Sequence, residues 1–259
     1  AGADVCKVES PAGDQFRRWS ASGATIPVGE DAAWFRFLNG GKRSVVVDLG
    51  AEDGRDELLV LVAGVDLVLD DHDPADARAL GITADDLRAV NPAVVVATLT
   101  PFGTTGPWAD RPANDFVLQG LVGSTEVRGV PGEEPVSVGG DLGDFTAAAF
   151  AAPAALAATL AARASGQGAH VDCSQYEAMM HSFQVFRPMY ESMAPDYEFP
   201  RQFMIPSIEP ASDGMVAMCC VTGQQWQDFC AMIGAPEFGD DPMFLRFIGR
   251  LERKEEVWE

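Results

Sequence analysis

Apolar and polar residues alternate through residues 3–9, Ala-Asp-Val-Cys-Lys-Val-Glu, the period of a strand with one wet face. Ser10-Pro11-Ala12-Gly13-Asp14 follows with the composition of a turn. Leu58, Leu59 and Val62 share one face of a helix predicted over residues 53–62, and residues 65–69 read as the next strand. A helix over 84–90, the Asn91-Pro92 break and a strand over 94–98 repeat the unit, and glycines and prolines make 101–107 a loop. Helices are then predicted over 116–123, over an alanine-rich stretch running to about 164, and over 174–185, with a strand around His170 between the last two. The pattern breaks over 188–200, returns as a hairpin signal over 206–218, and ends in a helix over 224–233. Strands and helices alternating every 25 to 30 residues point to an α/β fold with a parallel sheet flanked by helices.

Composition sets bounds on that picture. With 259 residues, 47% of them hydrophobic, the chain can bury a substantial core. The alanine-rich helix, interrupted by Pro153 and small in its side chains, is expected to fall short of a bilayer span, so no membrane partner is expected. Nothing at the N-terminus reads as a signal peptide, and Ala1 in place of Met suggests a processed or truncated product. Five cysteines, an odd count without CxxC spacing, suit reduced thiols in a cytoplasm. A formal net charge of −21 argues against nucleic acid and anionic membrane as partners. An anionic small molecule is still allowed, because screening over about 8 Å lets a local basic pocket act against the global charge.

The chemistry concentrates between Pro135 and Tyr176. Gly139-Gly140 precede two carboxylates, Asp141 and Asp144, at the start of the alanine-rich helix. Either could cap free helix N–H groups. Asp141 is expected to do so, whereas Asp144, with Gly143 before it and Ala147, Ala148 and Ala149 after it, has open space for a bulky substrate. A helix N-terminus keeps such a carboxylate ionised and available as nucleophile or base. Asp70-Asp71-His72-Asp73-Pro74 ends a strand, where α/β folds place ligands. It reads as a metal site or a solvated acidic loop, and the expectation is the loop, with no metal. Lys42-Arg43 is the most concentrated basic site before the catalytic stretch. His170 and His181 are expected to be structural, and Met179, Met180, Phe183 and Phe186 core or dimer contacts.

The residues Gly143-Asp144-Phe145-Thr146, the small-residue helix, and Arg163 to Asp172 (RASGQGAHVD) resemble, without a gap over about thirty residues, the catalytic-aspartate segment of the family III CoA-transferases. This superfamily includes formyl-CoA and carnitine CoA-transferases and α-methylacyl-CoA racemase. ADVCKVE resembles the second strand of the family's doubly wound sheet, and LNGGKRSVVVDL its "LNRGKRSVxLDL". PFGTTGP resembles its "GFGxTGP", which packs beside the thioester, and DDPMF with Arg250 resembles its small domain. The resemblance implies a Rossmann-like large domain over residues 1–190, lacking its first β-α unit, and the first part of a smaller α+β domain over 191–259, so that both ends are expected to be missing. It implies an acyl-CoA, a carboxylic-acid acceptor, no permanently bound cofactor and an interlocked homodimer. Asp144 would be the nucleophile, with backbone N–H groups near Gly139 and Gly140 as oxyanion donors. CoA would meet a basic cluster drawn from Arg17, Arg18, Lys42 and Arg43, with Phe102 and Gly103 near the pantetheine. Asp71 and His72 stand where relatives carry "ENFxPG" in the CoA pocket.

Two other readings stay open at this level. The racemase branch uses a His directly before the Asp of "GHD", and this chain has Asn114-Asp115, which lacks that proton carrier. A non-catalytic module is suggested by Ser10, Gly50 and Ala79, where some relatives carry Arg or Lys, although Arg17, Arg18 or Arg78 could compensate.

Overall fold

The computed structural model describes residues 2–125, 128–129, 132–183, 192 and 207–258. The predicted break over 188–200, residue 192 excepted, lies outside them, as do Phe186, Met204 and Pro206. The chain separates into two compact units, Ala1–Arg111 with Ala148–Ser174, and Pro112–Ala147 with Gln175–Glu259.

The first unit is α/β, as the alternation predicts. Strands β1 (Cys6–Glu9) and β2 (Arg43–Val46) pair in parallel, Cys6 opposite Arg43 and Glu9 opposite Val46. Strands β3 (Leu67–Asp70), β4 (Val95–Thr100) and β5 (His170–Ser174) form a second parallel set with β4 in the middle, so that Val96 faces both Val68 and His170. Val94 to Ala97 are wholly buried, as in a central strand covered on both faces. Parallel neighbours need crossovers, supplied here by helices α2 (Gly54–Val62), α3 (Pro74–Leu80) and α4 (Ala84–Val90). Val62, Ala77, Ile82 and Leu87 bring these helices onto Val94 and Val96 in one apolar cluster.

Local signals fix the helix ends. Thr83 and Asp86 form a reciprocal capping box at the start of α4. Pro74 opens α3, and Gly81, left-handed at φ 65°, closes it. Helix α1 (Ala33–Asn39) has no side-chain cap and is seated by buried Phe35, so packing decides it where the sequence pattern predicts nothing.

Helix α6 (Leu142–Ser165) contributes residues to both units and corrects one expectation. Pro153 lies inside it without ending it, and by length and apolar composition its 24 residues suffice to cross a bilayer. The proline is tolerated because Ala149, whose carbonyl loses its helical partner there, is exposed. Only 22% of its most apolar window is buried.

The second unit holds α5 (Asp115–Leu121), α7 (Gln175–Phe183) and the antiparallel hairpin of β6 (Ile208–Ala211) with β7 (Gly214–Ala217). After these come α8 (Gly223–Ile233), α9 (Pro236–Asp240), α10 (Phe247–Glu252) and α11 (Lys254–Trp258). Trp226, Phe229, Cys230 and Phe244 form its apolar cluster. Arg250, fully buried, donates to the carbonyls of Phe244 (2.6 Å), Cys220 (2.6 Å) and Val221 (3.2 Å), with its guanidinium 5.1 Å from the Trp226 ring centre. Burial pushes that guanidinium below its ordinary value. Removing it strands buried acceptors, so Arg250→Met is expected to lower unfolding stability by about 3 kcal/mol, read from urea denaturation followed by tryptophan fluorescence.

Candidate active site

Helix α6 starts at Leu142, which puts Asp144 in its first turn, exposed, where the free N–H groups of the helix favour a negative charge. The start is fixed from outside. Asp115, the first residue of α5, accepts the Gly143 backbone N–H on Oδ1 at 2.6 Å. Its Oδ2 accepts from Gln119 Nε2 at 2.6 Å, and the fully buried Gln119 amide also brackets Val138, donating to its carbonyl (2.9 Å) and accepting its N–H (2.8 Å). Both ends of the segment from Val138 to Gly143 are therefore tied to one helix. Sequence reasoning missed Asp115 and Gln119 in this role. The Asp-x-x-x-Gln spacing, one turn apart on a helix, was the available signal.

Gly143 is the close fit at this junction. A Cβ there would lie 2.7 Å from Asp115 Oδ1 and 3.0 Å from Met179 Sδ. Asp141, expected to cap the helix, does not do so with its side chain. Its backbone is left-handed at φ 53°, its carbonyl accepts from Phe145, and its carboxylate Oδ2 is buried with no hydrogen-bond partner among the described residues. Asp115 takes the Gly143 amide in the first turn, and the left-handed Asp141 backbone departs from the extended one of a capping residue. Gly139 and Gly140 are exposed, with open space where a Cβ would project. Gln175, opening α7, donates its Nε2 to Asp144 Oδ1 at 2.5 Å. Asn114, in place of the racemase histidine, caps α5 by accepting the Val117 N–H at 3.0 Å.

The remaining candidates belong to the first unit. Phe102 and Gly103 lie in a loop anchored by Asp172 of β5, which accepts from the Thr104 N–H (2.9 Å) and hydroxyl (2.6 Å). Phe102 meets Trp108 edge-on at 5.3 Å. Thr98 and His170 Nε2 are 3.0 Å apart, within hydrogen-bond distance. At the end of β3, Asp70, Asp71 and His72 bring three ligand atoms within 4.8 Å of one another, closer than consecutive residues were expected to converge. His72 Nδ1 is engaged with Asp70 Oδ1 at 2.5 Å, and that bond holds the imidazole above its ordinary value of 6.5 against the opposing effect of burial.

Lys7, Arg17, Arg36, Lys42 and Arg43 line one cavity of about 380 Å³, opposed by Glu9 and Asp31. It gathers three of the four predicted basic residues and adds Lys7 and Arg36. Arg18 is not among its lining and donates instead to the carbonyls of Pro27 and Glu30. Arg17 is spent on carboxylates, bidentate to buried Glu9 and to Asp31, and with Ser44 it holds the Glu9 carboxyl down at about 2. Arg43 pairs with Asp4, and Lys7 with Asp14. Lys42 donates to the Asn39 side chain, and burial, then the neighbouring Lys7 charge, push it below its ordinary value. Of the suggested compensators outside the cavity, Arg78 pairs with Asp110 at 2.6 Å.

The fit at Gly143 can be tested directly. Gly143→Ala forces Asp115 or Met179 to move and is expected to cost about 1–3 kcal/mol of stability in thermal unfolding.

A family model described as CoA-transferase family III matches residues 1–259. The chain is 29% identical to a succinate–glutarate CoA-transferase of Agrobacterium fabrum, over 99% of this chain and 66% of that protein. It is 30% identical to an acetyl-CoA:oxalate CoA-transferase of Acetobacter aceti, over 96% of this chain and 64% of that protein. A crystal structure of a CAIB/BAIF family protein from Brucella suis superposes with a TM-score of 0.77 at 28% identity, over 99% of this chain and 69% of that one. The chain spans about two thirds of the length of these curated relatives. With the family match unbroken along its length, and with Asp144 at the helix start where the resemblance puts the catalytic aspartate, the chain belongs to CoA-transferase family III.

Proposed function

We propose that the protein moves CoA from an acyl-CoA donor to a carboxylic acid through covalent intermediates on Asp144. The observation that carries the reading is the exposed Asp144 carboxylate at a helix N-terminus whose start is clamped by Asp115. One carboxylate oxygen attacks the thioester carbonyl, and collapse expels CoA thiolate and leaves a mixed anhydride. The thiolate attacks Asp144 Cγ, expels the donor acid and leaves an aspartyl-CoA thioester. The acceptor carboxylate attacks the same carbon and frees the thiolate again, which then takes the acceptor acyl group and restores Asp144. The Gly139 and Gly140 segment, open and next to the helix start, suits donors to the oxyanion formed on the substrate carbonyl.

The cavity around Lys42 suits the phosphates of CoA, since five cations face two carboxylates there in a chain of net charge −21. Phe102 and Gly103 would meet the pantetheine, and Asp71 and His72 the rim of the CoA site. Asp144 is itself the carrier, so the reading needs no permanent cofactor or metal. Five free cysteines suit a reducing cytoplasm, and exposed Leu156 and Leu160 on α6 suit a second copy of the chain in an interlocked homodimer. The relatives' named acids, succinate, glutarate and oxalate, make dicarboxylates the first acceptors to try.

Incubating the intact protein with acetyl-CoA or succinyl-CoA should leave an adduct that hydroxylamine converts to an aspartyl hydroxamate on Asp144, located by peptide mass spectrometry. Asp144→Asn should keep the fold and lose adduct and turnover. An adduct on Asp141 instead would make that residue the nucleophile, and none with any donor would point to a non-catalytic module.

Calorimetric titration tests the cavity. Arg36→Ala with Lys42→Ala should weaken CoA binding by about 1.5–3 kcal/mol for each charge-assisted phosphate hydrogen bond removed, and unchanged affinity would remove the cavity from the CoA site.

A further inference from the structure

We infer that Gln175 is a catalytic residue, the oxyanion donor for those steps in which Asp144 is attacked rather than attacking. The inference rests on the transferase reading above and adds a residue that the sequence did not single out.

Gln175 follows directly on buried Ser174 at the end of β5 and opens α7, so its backbone is fixed by a strand on one side and a helix on the other. Its Nε2 lies 2.5 Å from Asp144 Oδ1. An ionised carboxylate only accepts hydrogen bonds, so the amide must turn its NH2 group, not its oxygen, toward Asp144. That bond makes Oδ1 the poorer nucleophile, and the assignment takes Oδ2 as the oxygen that attacks the thioester.

The consequence appears one step later. In the mixed anhydride Oδ2 bridges to the acyl group, and Oδ1 is the carbonyl oxygen of the aspartyl ester, still against Gln175. When CoA thiolate attacks Cγ, a C–S bond forms, the carbonyl electron pair moves onto Oδ1, and its return expels the acyl carboxylate, which departs with Oδ2. The acceptor carboxylate then attacks Cγ of the aspartyl-CoA thioester, charge develops again on Oδ1, and CoA thiolate leaves. In both steps the charge forms on the oxygen that Gln175 already holds, the geometry in which a fixed donor lowers a barrier. The first and last steps put their charge on the substrate carbonyl, which Gln175 does not touch. Its removal should therefore slow the breakdown of Asp144 adducts more than their formation.

The test is steady-state and trapping kinetics on the intact protein with acetyl-CoA and oxalate, and with succinyl-CoA and glutarate. Gln175→Met, similar in length and without a donor, should lower kcat by about a hundredfold, leave KM for the acyl-CoA within about twofold of wild type, and raise the fraction of protein trapped by hydroxylamine at Asp144. Gln175→Glu, of the same shape, should lose activity at neutral pH and regain part of it as pH falls. A protonated carboxyl restores a donor, and the neighbouring Asp144 charge raises the pH at which protonation occurs.

Wild-type turnover in Gln175→Met would overturn the assignment. So would a loss in which adduct and turnover fall together, or failure of both variants to fold, since each makes Gln175 a structural residue. No Asp144 adduct in the wild-type protein would instead remove the transferase reading itself, so the two failures are distinguishable.

Discussion

The hydrogen bond from the Gly143 amide to Asp115 is the constraint on which the candidate active site depends. A helix N-terminus has unsatisfied N–H groups, and whichever acceptor takes them decides where the helix begins and which way its first side chains point. Here the acceptor comes from another helix, about 28 positions earlier in sequence, and is itself held by an amide that is wholly buried. The cap is thereby separated from Asp144, the proposed nucleophile. Asp144 is left exposed in the first turn with its charge favoured by the helix, and only glycine fits at 143 beneath the capping carboxylate.

The charge distribution poses a second constraint. A chain of net charge −21 repels the anionic substrates its family uses, and beyond about 8 Å screening removes most of that field. What remains is local, and the cavity between β1, β2 and α1 is built accordingly. Buried Glu9 and half-buried Asp31 consume Arg17, which fixes one wall of the cavity and leaves Lys42 and Arg36 outside any ion pair among the described residues. Lys42 beside Lys7 is a like-charge arrangement that an anion would relieve, and burial first, then the Lys7 charge, lowers the Lys42 value.

Legibility in the sequence followed the range of the interactions. Strand β4 was readable because a central parallel strand is continuously apolar, and α4 because its Thr83–Asp86 box is encoded within four residues. Helix α3, expected after the acidic loop at Asp70 to Pro74, carried its Pro74 and Gly81 signals in plain view, although no long apolar period marks it. Asp144 was legible as a helix-start carboxylate. The roles of Asp115, Gln119, Asp172 and Gln175 were not, because the partners that define those roles lie 19 to 68 residues away, and the Asp115–Gln119 spacing alone does not reveal them. Asp141 shows the same limit from the other side: a perfect local cap signal lost to a carboxylate from elsewhere in the chain.

In the proposed mechanism the Asp144 carboxylate acts first as nucleophile and then as electrophile, which would place opposing demands on its surroundings. A strong cation against both oxygens would favour the ground state and suppress attack, while an apolar pocket would raise its pKa and leave it protonated. At Asp144 the helix terminus supplies a diffuse positive field, and Gln175 supplies a neutral donor to Oδ1. The bond is charge-assisted on the carboxylate side alone, so a neutral amide holds the resting group less firmly than a cation would, and the bond strengthens again as charge develops on Oδ1. Lysine or arginine at position 175 would bind the resting carboxylate about as well as the transition state, which is the uniform stabilisation that gains nothing in rate.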